Sequence, residues 1–315
     1  MAKRSIALLA GGVGAAKFLR GLVRIAEPHR ITIIVNTGDD EQFYGLHVAP
    51  DLDTITYTLA GVVNRKNGWG RAGESFRALG ELERFYGPAW FNLGDRDLAT
   101  HLYRSERLHE GAALSEVTAE IAARFRIKAR ILPMSNERVH THVKLKGRPA
   151  LPFQEYFVRR RARGSVEAIE LRGIEQARPA PGVLEALAGA DAVIIAPSNP
   201  FVSIGPILGV RGVREALRAV RDRVVAISPI VGGRSVKGPA DRMLRGMGHE
   251  VSARGVANFY RDCAGAFVLD EADRRQLEAV RRLGINAVAT DTIMSSPARA
   301  AALAAAALAA VGNHA

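Results

Sequence analysis

Ile31-Thr32-Ile33-Ile34-Val35-Asn36-Thr37-Gly38-Asp39-Asp40 is the stretch that decides the fold, because it joins an apolar run to two carboxylates. The β-branched run from Ile31 to Val35 predicts a buried strand. In an open α/β sheet, ligands bind beyond the carboxyl ends of the strands. The next segment, Pro50-Asp51-Leu52-Asp53-Thr54, brings the number of aspartates near this predicted edge to four.

These aspartates predict a site for a cation or for a sugar hydroxyl, since carboxylates are rarely core residues. The candidate catalytic and metal-binding residues are therefore Asp39, Asp40, Asp51 and Asp53. The local alternative makes Asp39 an exposed turn residue and Asp51 the cap of a helix over Asp51–Val63. The grouping of all four beside a glycine loop favours a site.

That glycine loop, Gly11-Gly12-Val13-Gly14-Ala15-Ala16-Lys17, follows an apolar run, Ser5–Ala10, and precedes an amphipathic helix. A strand, a glycine loop and a helix together offer backbone N–H groups and a positive dipole end to a phosphate. The spacing matches neither a Walker A loop nor a full dinucleotide fingerprint. The candidate phosphate contacts in this loop are Gly11, Gly12, Gly14 and Lys17.

Two loops in the second half of the chain have a similar character. The predicted strands Asp191–Ala196 and Arg223–Ser228 each lead to a polar loop and then to a helix that starts at a proline. Free N–H groups, hydroxyls and cations in such loops are suited to a nucleoside diphosphate. The candidate nucleotide contacts are Ser198, Asn199, Gly232, Gly233, Arg234 and Lys237.

The alternation of these elements predicts an α/β fold with a Rossmann-like, mostly parallel sheet flanked by helices. Residues 136–147 alternate with period two, and Phe153–Arg160 and Val166–Leu171 also look extended. We therefore predict a smaller β-rich or mixed subdomain at 129–175, inserted into a core formed by 1–128 and 176–315.

A further strand-to-helix junction is predicted at residues 89–97. Ala89–Leu93 is predicted as a strand, and Asp95 as the cap of a helix over Leu98–Glu106. Arg96 is predicted either to contact a ligand or to form a local salt bridge.

The totals limit the function classes. The chain has 315 residues, a net charge of +12 and one cysteine, Cys263, which excludes an internal disulfide and favours a reducing cytoplasm. The positive charge favours an anionic partner, yet aromatics are only 6% and no RNA-binding or helix-turn-helix signature occurs, so nucleic acid is the weaker prediction. No apolar run is long enough to predict a membrane span. The basic run Arg159–Arg163 fits a solvated loop or a phosphate clamp.

Eight segments in this order resemble the CofD/FbiA family of coenzyme F-420 biosynthesis: GGVGAAK (11–17), VNTGDD (35–40), PDLDT (50–54), LGDRDLATH (93–101), ILPMSNE (131–137), FQEYFV (153–158), PSNPFVSIGPIL (197–208) and SPIVGGRSVKGPADRM (228–243). The resemblance covers about residues 5–295. It implies a magnesium-dependent, GMP-releasing transferase. A guanylylated three-carbon acid, of phosphoenolpyruvate or 2-phospho-L-lactate, would donate its phospho-acid to a ribityl hydroxyl of the deazaflavin Fo.

The resemblance also implies roles for particular residues. Asp53, with Asn92 or Arg96, would contact Fo, the four aspartates would hold Mg²⁺ or orient the hydroxyl, and the protein would form a homodimer. Val13 and Ala15-Ala16 in the glycine loop resemble the bacterial branch of the family. A second resemblance, to the YvcK-like proteins, implies instead a regulator that binds a nucleotide sugar and has no transferase activity.

Overall fold

The structure is a computed structural model, which describes residues 4–311. The strands are β1 (Ile6–Ala10), β2 (Ile31–Val35), β3 (Glu41–Phe43), β4 (Leu46–Val48), β5 (Arg130–Pro133), β6 (His140–Leu145), β7 (Leu151–Pro152), β8 (Val166–Arg172), β9 (Ala192–Ile195), β10 (Val224–Ile227), β11 (Ile230–Val231), β12 (Arg234–Ser235), β13 (Ala266–Asp270) and β14 (Asn286–Thr290). The α-helices are α1 (Gly12–Ile25), α2 (Pro50–Leu59), α3 (Arg77–Tyr86), α4 (Asp95–His109), α5 (Leu114–Arg124), α6 (Val183–Gly189), α7 (Gly205–Gly209), α8 (Val213–Ala219), α9 (Ala240–Gly246), α10 (Ala253–Tyr260), α11 (Leu277–Arg281) and α12 (Pro297–Ala310).

Seven strands form one sheet in the order β14-β13-β10-β9-β1-β2-β5, and every neighbouring pair in it is parallel. From β1 the chain proceeds to one edge through β2 and β5, and later to the other edge through β9, β10, β13 and β14. The order therefore reverses between β1 and β9, which makes this the switch point of a doubly wound sheet. The predicted α/β, Rossmann-like fold class is confirmed.

Helices cover both faces of the sheet because its strands are apolar on both faces. Leu8 of β1 faces α1 and α12, where it joins the cluster that contains Phe18 and Leu303. Leu9 points to the opposite face and packs with residues of α6, α8 and α10. Helices α1 and α12 approach closely at Gly21, where an added Cβ would lie 2.1 Å from the Ala300 carbonyl carbon.

A smaller antiparallel sheet, in the order β7-β6-β8, lies beside the large one. The insertion does not begin at residue 129, because Arg130–Pro133 is the edge strand of the large sheet and pairs with β2. The predicted extended segment Phe153–Arg160 is also wrong. Residues Glu155–Arg159 form a π-helical turn that buries Tyr156 against the small sheet, since hydrophobic contact there outweighs the local strand preference.

The junction at residues 89–97 differs from the sequence prediction. Ala89–Leu93 is irregular rather than a strand, because its aromatic side chains pack on the β3–β4 hairpin, with Phe91 stacked on Phe43 at 4.3 Å between ring centroids. Asp95 does not cap α4. Its carboxylate accepts hydrogen bonds from the first N–H groups of α3, while the Glu74 carboxylate accepts those of Arg96 and Asp97 at the start of α4.

Within residues 4–311, no helix combines the length and the apolar composition that crossing a membrane requires.

Candidate active site

A cavity of about 650 Å³ opens at the carboxyl ends of the strands, at the switch point between β1 and β9. The loops after β1, β9, β10 and β14 line it on the sheet side, and residues of α2 and α4 line it on the other. This is the place where open α/β sheets bind ligands, because chain segments diverge there and leave a crevice.

The glycine loop forms one wall of this cavity. Gly11 precedes α1 as its N-cap and has no side chain to cap the helix. The Asp51 carboxylate accepts the first N–H group, that of Gly12, so the following N–H groups of the first turn of this 14-residue helix are the ones available for an anion. An added Cβ at Gly14 would lie 2.5 Å from the Pro197 carbonyl oxygen, and Gly12 has a φ of +71°. The glycines are thus required by the packing and turn of the protein itself.

Asp51 holds the glycine loop in place. Its Oδ1 accepts the Gly12 N–H at 2.7 Å, and its Oδ2 accepts the Asn36 side-chain amide at 2.9 Å. Burial raises the pKa of Asp51 to about 6, against the lowering effect of these two hydrogen bonds. Asp51 lies in the first turn of α2, whose N-cap is Ala49, so the predicted capping role is wrong.

Asp39 lies beside Asp51 and lines the cavity. Burial, followed by repulsion from the Asp51 carboxylate, raises the pKa of Asp39. Within the described residues, its Oδ1 is buried and has no hydrogen-bond partner. Two adjacent buried carboxylates with an unsatisfied oxygen form a locally unfavourable arrangement, which a cation would relieve.

Asp40 differs from Asp39, because its Oδ2 lies 2.9 Å from Nε2 of His47 and it is not among the residues that line the cavity. Burial raises the pKa of Asp40, and the hydrogen bond with His47 opposes this shift. Asp40 therefore supports the β3–β4 hairpin that carries His47.

Asp53 forms a buried, two-point ion pair with Arg104 of α4. Nδ1 of His101 lies 3.6 Å from Asp53 Oδ2, and burial lowers the pKa of His101 to about 4, so the imidazole is neutral near pH 7. Asp97, His101 and Arg104 recur at intervals of four and three residues, so they share the face of α4 that meets α2. The pairing keeps the cavity-lining Asp53 in one orientation.

Asp97 is a buried carboxylate in the cavity wall that the sequence did not single out as a site residue. Burial, and then repulsion from Asp53, raise the pKa of Asp97 to about 7. In the described part of the chain, its Oδ1 has no hydrogen-bond partner. Its position four residues before His101, directly before the helix predicted over Leu98–Glu106, was the signal available for it.

Aromatic side chains line part of the cavity. Trp69 and Phe157 are about 40% exposed there, and Phe153 stacks on Phe157 at 5.4 Å between ring centroids. Phe91 and Asn92 also line this part. Such a wall suits a flat, partly apolar ring.

Two lysines supply positive charge to the cavity. Lys17 of α1 and Lys237 both line the cavity. Burial, and then repulsion from Lys17, lower the pKa of Lys237. Lys237 Nζ donates to the Asn67 carbonyl oxygen at 3.0 Å and so reaches the loop that carries Trp69.

A family model described as 2-phospho-L-lactate transferase CofD matches residues 6–307 of this chain. The chain belongs to the CofD family. It is 47% identical to a phosphoenolpyruvate transferase of Kitasatospora aureofaciens, over 96% of this chain and 97% of that protein. It is 38% identical to a 2-phospho-L-lactate transferase of Methanosarcina mazei, over 92% and 94% of the two chains.

The CofD-family chain also resembles a solved structure in fold. A UPF0052 family member from Bacillus halodurans superposes with a TM-score of 0.64 at 15% identity, over 97% of this chain and 100% of that one. At this identity the likeness concerns the fold alone.

The structure brings most of the predicted site residues of this CofD-family member to the cavity, and leaves five outside its lining. The predicted residues that line the cavity are Gly11, Gly12, Gly14, Lys17, Asp39, Asp51, Asp53, Asn92, Ser198, Asn199 and Lys237. Those outside its lining are Asp40, Arg96, Gly232, Gly233 and Arg234.

Arg96, Gly232, Gly233 and Arg234 lie in other parts of the structure. Gly232 and Gly233 form the tight turn between β11 and β12, and the Gly232 N–H donates to Asp273 at 2.9 Å. Arg234 is exposed in β12. The Arg96 guanidinium donates to the Ala72 carbonyl oxygen at 2.8 Å and fastens the Trp69 loop from outside.

Proposed function

We propose that this chain transfers the phospho-acid of a guanylylated three-carbon acid to a ribityl hydroxyl of the deazaflavin Fo and releases GMP. The supporting observation is the convergence, on one cavity, of a phosphate-binding glycine loop, an acidic cluster and an aromatic wall. The names of the CofD-family relatives support a transferase that acts on phosphoenolpyruvate or 2-phospho-L-lactate.

The diphosphate of the donor lies, in this proposal, against the start of α1. The free N–H groups of that helix donate to phosphate oxygens, and Lys17 and Lys237 neutralise their charge. Ser198 Oγ donates to the Gly11 carbonyl oxygen at 2.7 Å, so the loop after β9 fixes the glycine loop before a ligand arrives. Pre-arranged donors of this kind need no reorganisation during the reaction.

Magnesium fits part of the acidic cluster. Asp39, with its unpartnered oxygen, and Asp51 line the cavity and would hold it. Asp53 is paired with Arg104, and Asp40, which also has an unpartnered oxygen, is bonded to His47 outside the cavity lining. No group of three possible protein ligands converges within residues 4–311, which is compatible with Mg²⁺ because it commonly takes one or two carboxylates and completes its shell with phosphates and water. When bound, it would neutralise charge on the transferring phosphoryl group.

The acceptor lies, in the same proposal, on the aromatic side, with its ring near Trp69 and Phe157 and its ribityl chain directed to Asp53 and Asn92. The hydroxyl oxygen forms a bond to the phosphorus that carries the three-carbon acid, and the bond from that phosphorus to the GMP oxygen breaks. The hydroxyl proton passes to a carboxylate, for which Asp97 is suited because its pKa of about 7 allows both protonation states near neutral pH.

Phosphoenolpyruvate is the donor acid we favour, because the relatives at 42–47% identity carry that name and the Methanosarcina mazei relative, at 38%, is named for 2-phospho-L-lactate. Incubation of the protein with Fo, Mg²⁺ and each guanylylated acid, read by mass spectrometry, tests this directly. The expected product is the phosphoenolpyruvyl ester of Fo, with one GMP released per product.

Absence of product with every acid, together with tight binding of a UDP-sugar, would replace this proposal by the regulator alternative. Asp53→Ala serves as the matched test of the acceptor site. It should abolish transfer while GDP binding persists, since this proposal places the diphosphate of GDP at the start of α1.

A further inference from the structure

A second cleft, of about 340 Å³, lies outside the active-site cavity and shares no lining residue with it. Arg20 and Arg24 of α1 and Arg65, just after α2, line this cleft, which we call the arginine cleft. Val23, Leu59 and Pro297 complete most of its wall. The cleft therefore combines three cations with an apolar surface.

The three arginines of the cleft have no partner within residues 4–311. None of them takes part in an ion pair or a hydrogen bond there, and no carboxylate lines the cleft. Other arginines of this chain pair readily, as Arg107 does with Glu120 and Arg214 does with Asp262. Arg211 also has no ion pair in the described residues, so what distinguishes the cleft is that three unpaired arginines line one space.

The electrostatics of the cleft favour an anion. Three arginine side chains that line one cleft repel each other, and an anion bound between them would offset this repulsion. Arg20 and Arg24 are four residues apart, so they lie on the same face of α1. The 14-residue helix α12 begins at Pro297 in the cleft wall and has no acidic residue in its first turn, so its positive dipole end adds to the same field.

We propose that the arginine cleft is a binding site for a phosphate monoester with a small apolar body. Guanidinium groups form paired hydrogen bonds with phosphate oxygens, which an isolated ammonium group cannot reproduce. A volume of 340 Å³ is about ten times that of one water molecule in the liquid, so it exceeds the need of a bare phosphate. The remaining space faces Val23, Leu59 and Pro297, which suits an apolar group.

The position of the cleft connects it to the active site. Arg20 follows Lys17 by three residues on α1, and Lys17 lines the active-site cavity. Arg65 lies at the base of the loop that carries Trp69 into that cavity. A ligand bound to Arg65 would restrain the same loop.

Calorimetric titration with phenyl phosphate and with inorganic phosphate tests the proposal. The titrations use the Lys17→Met variant, so that phosphate binding at the start of α1 is weakened and the arginine cleft is reported. We expect phenyl phosphate to bind at one site and several-fold more tightly than inorganic phosphate. Adding Arg20→Gln or Arg65→Gln should weaken this binding at least tenfold.

Arg211→Gln is the matched control, because Arg211 is exposed, belongs to neither cavity and has no ion pair in the described residues. It should change the affinity less than twofold. Equal losses in Arg211→Gln and Arg20→Gln, or unchanged binding in Arg20→Gln and Arg65→Gln, would overturn the site. Equal affinity for the two probes would overturn the apolar part of the ligand. Circular dichroism checks that each variant is folded. If Arg20→Gln does not fold, the binding measured with Arg65→Gln decides the test, because Arg65 lies in a loop.

Discussion

Replacement of Arg104 by leucine tests the buried ion pair that orients Asp53. Arg104 is 2% exposed and Asp53 is 5% exposed, and two guanidinium nitrogens bond to the two carboxylate oxygens. In Arg104→Leu the Asp53 carboxylate remains buried without its counter-charge. We expect a large loss of stability, because water cannot replace the lost partner at this depth.

The size of the loss follows from this burial. Removal of one partner of a buried pair costs about 3–5 kcal/mol. With an unfolding entropy of about 2 cal/mol/K per residue, a chain of 315 residues should show a fall in Tm of about 5–8 °C. Asp53→Leu combined with Arg104→Leu should recover most of this loss, since an apolar pair of similar volume is often neutral.

Differential scanning calorimetry at pH 7.5 measures these shifts. Arg107→Leu is the matched control on the same helix, because Arg107 is partly exposed and its pairs with Glu110 and Glu120 lie near the surface. It should cost no more than about 1 kcal/mol. The reasoning is refuted if Arg104→Leu is no more destabilising than Arg107→Leu, or if the double variant is less stable than Arg104→Leu alone.

Three further predictions concern pH, packing and the acceptor. Burial raises the pKa of Asp97 from 3.8 to about 7, so the folded state binds the carboxyl proton more tightly than the unfolded chain does. The stability that this proton contributes is fully present below about pH 4 and is lost as the pH rises to about 7. Asp97→Asn should therefore raise the free energy of unfolding at pH 8 in metal-free buffer by up to about 4 kcal/mol. This gain is measured as a rise in Tm. Gly14→Ala should destabilise the protein by about 1–3 kcal/mol in urea titrations, because its Cβ meets a carbonyl oxygen at 2.5 Å. Trp69→Ala should raise the KM for Fo about tenfold through loss of ring stacking, as measured by initial rates. Quenching of Fo fluorescence should show a matching rise in the dissociation constant.

Each of these predictions has an internal comparison. The Tm values of Asp97→Asn and the parent protein should converge near pH 4, and a constant difference at all pH values would contradict the linkage. Gly80→Ala should leave stability unchanged or raise it by up to about 1 kcal/mol, since its Cβ meets nothing within 4 Å on helix α3. Phe85 is 82% exposed and outside the cavity, so an equal effect of Phe85→Ala on Fo would remove Trp69 from the acceptor site.

Continuous apolar runs located the strands of the large sheet well. The predicted runs Ser5–Ala10 and Ile31–Val35 are strands β1 and β2 within one residue, and the runs that became β9 and β10 were placed equally closely. A buried parallel strand needs apolar residues on both faces, so its signal is local and strong. Ala89–Leu93 was also predicted as a strand, yet it forms none, and its rings pack on Phe43.

The glycine loop and the acidic cluster were predicted for related reasons. A loop after the first strand and a loop after the second lie at the same edge of a parallel sheet, whatever the remaining order. The same reasoning was wrong in placing Gly232 and Gly233 at the cavity. Their loop also follows a strand, but it folds back as the β11–β12 hairpin, and the residues just beyond it, 236–239, line the cavity instead.

The sequence by itself determined the strands, the switch-point loops and the residue types that line the cavity beside the glycine loop, because these depend on neighbours within about twenty residues. Tertiary structure alone decided which charges meet. Asp53 pairs with Arg104, 51 residues away, Asp95 caps α3, and Arg20 lies near Arg65 without a counter-ion. The protonation and ligands of a carboxylate depend on burial and on the charges within a few ångströms, and both are set only when distant helices pack together.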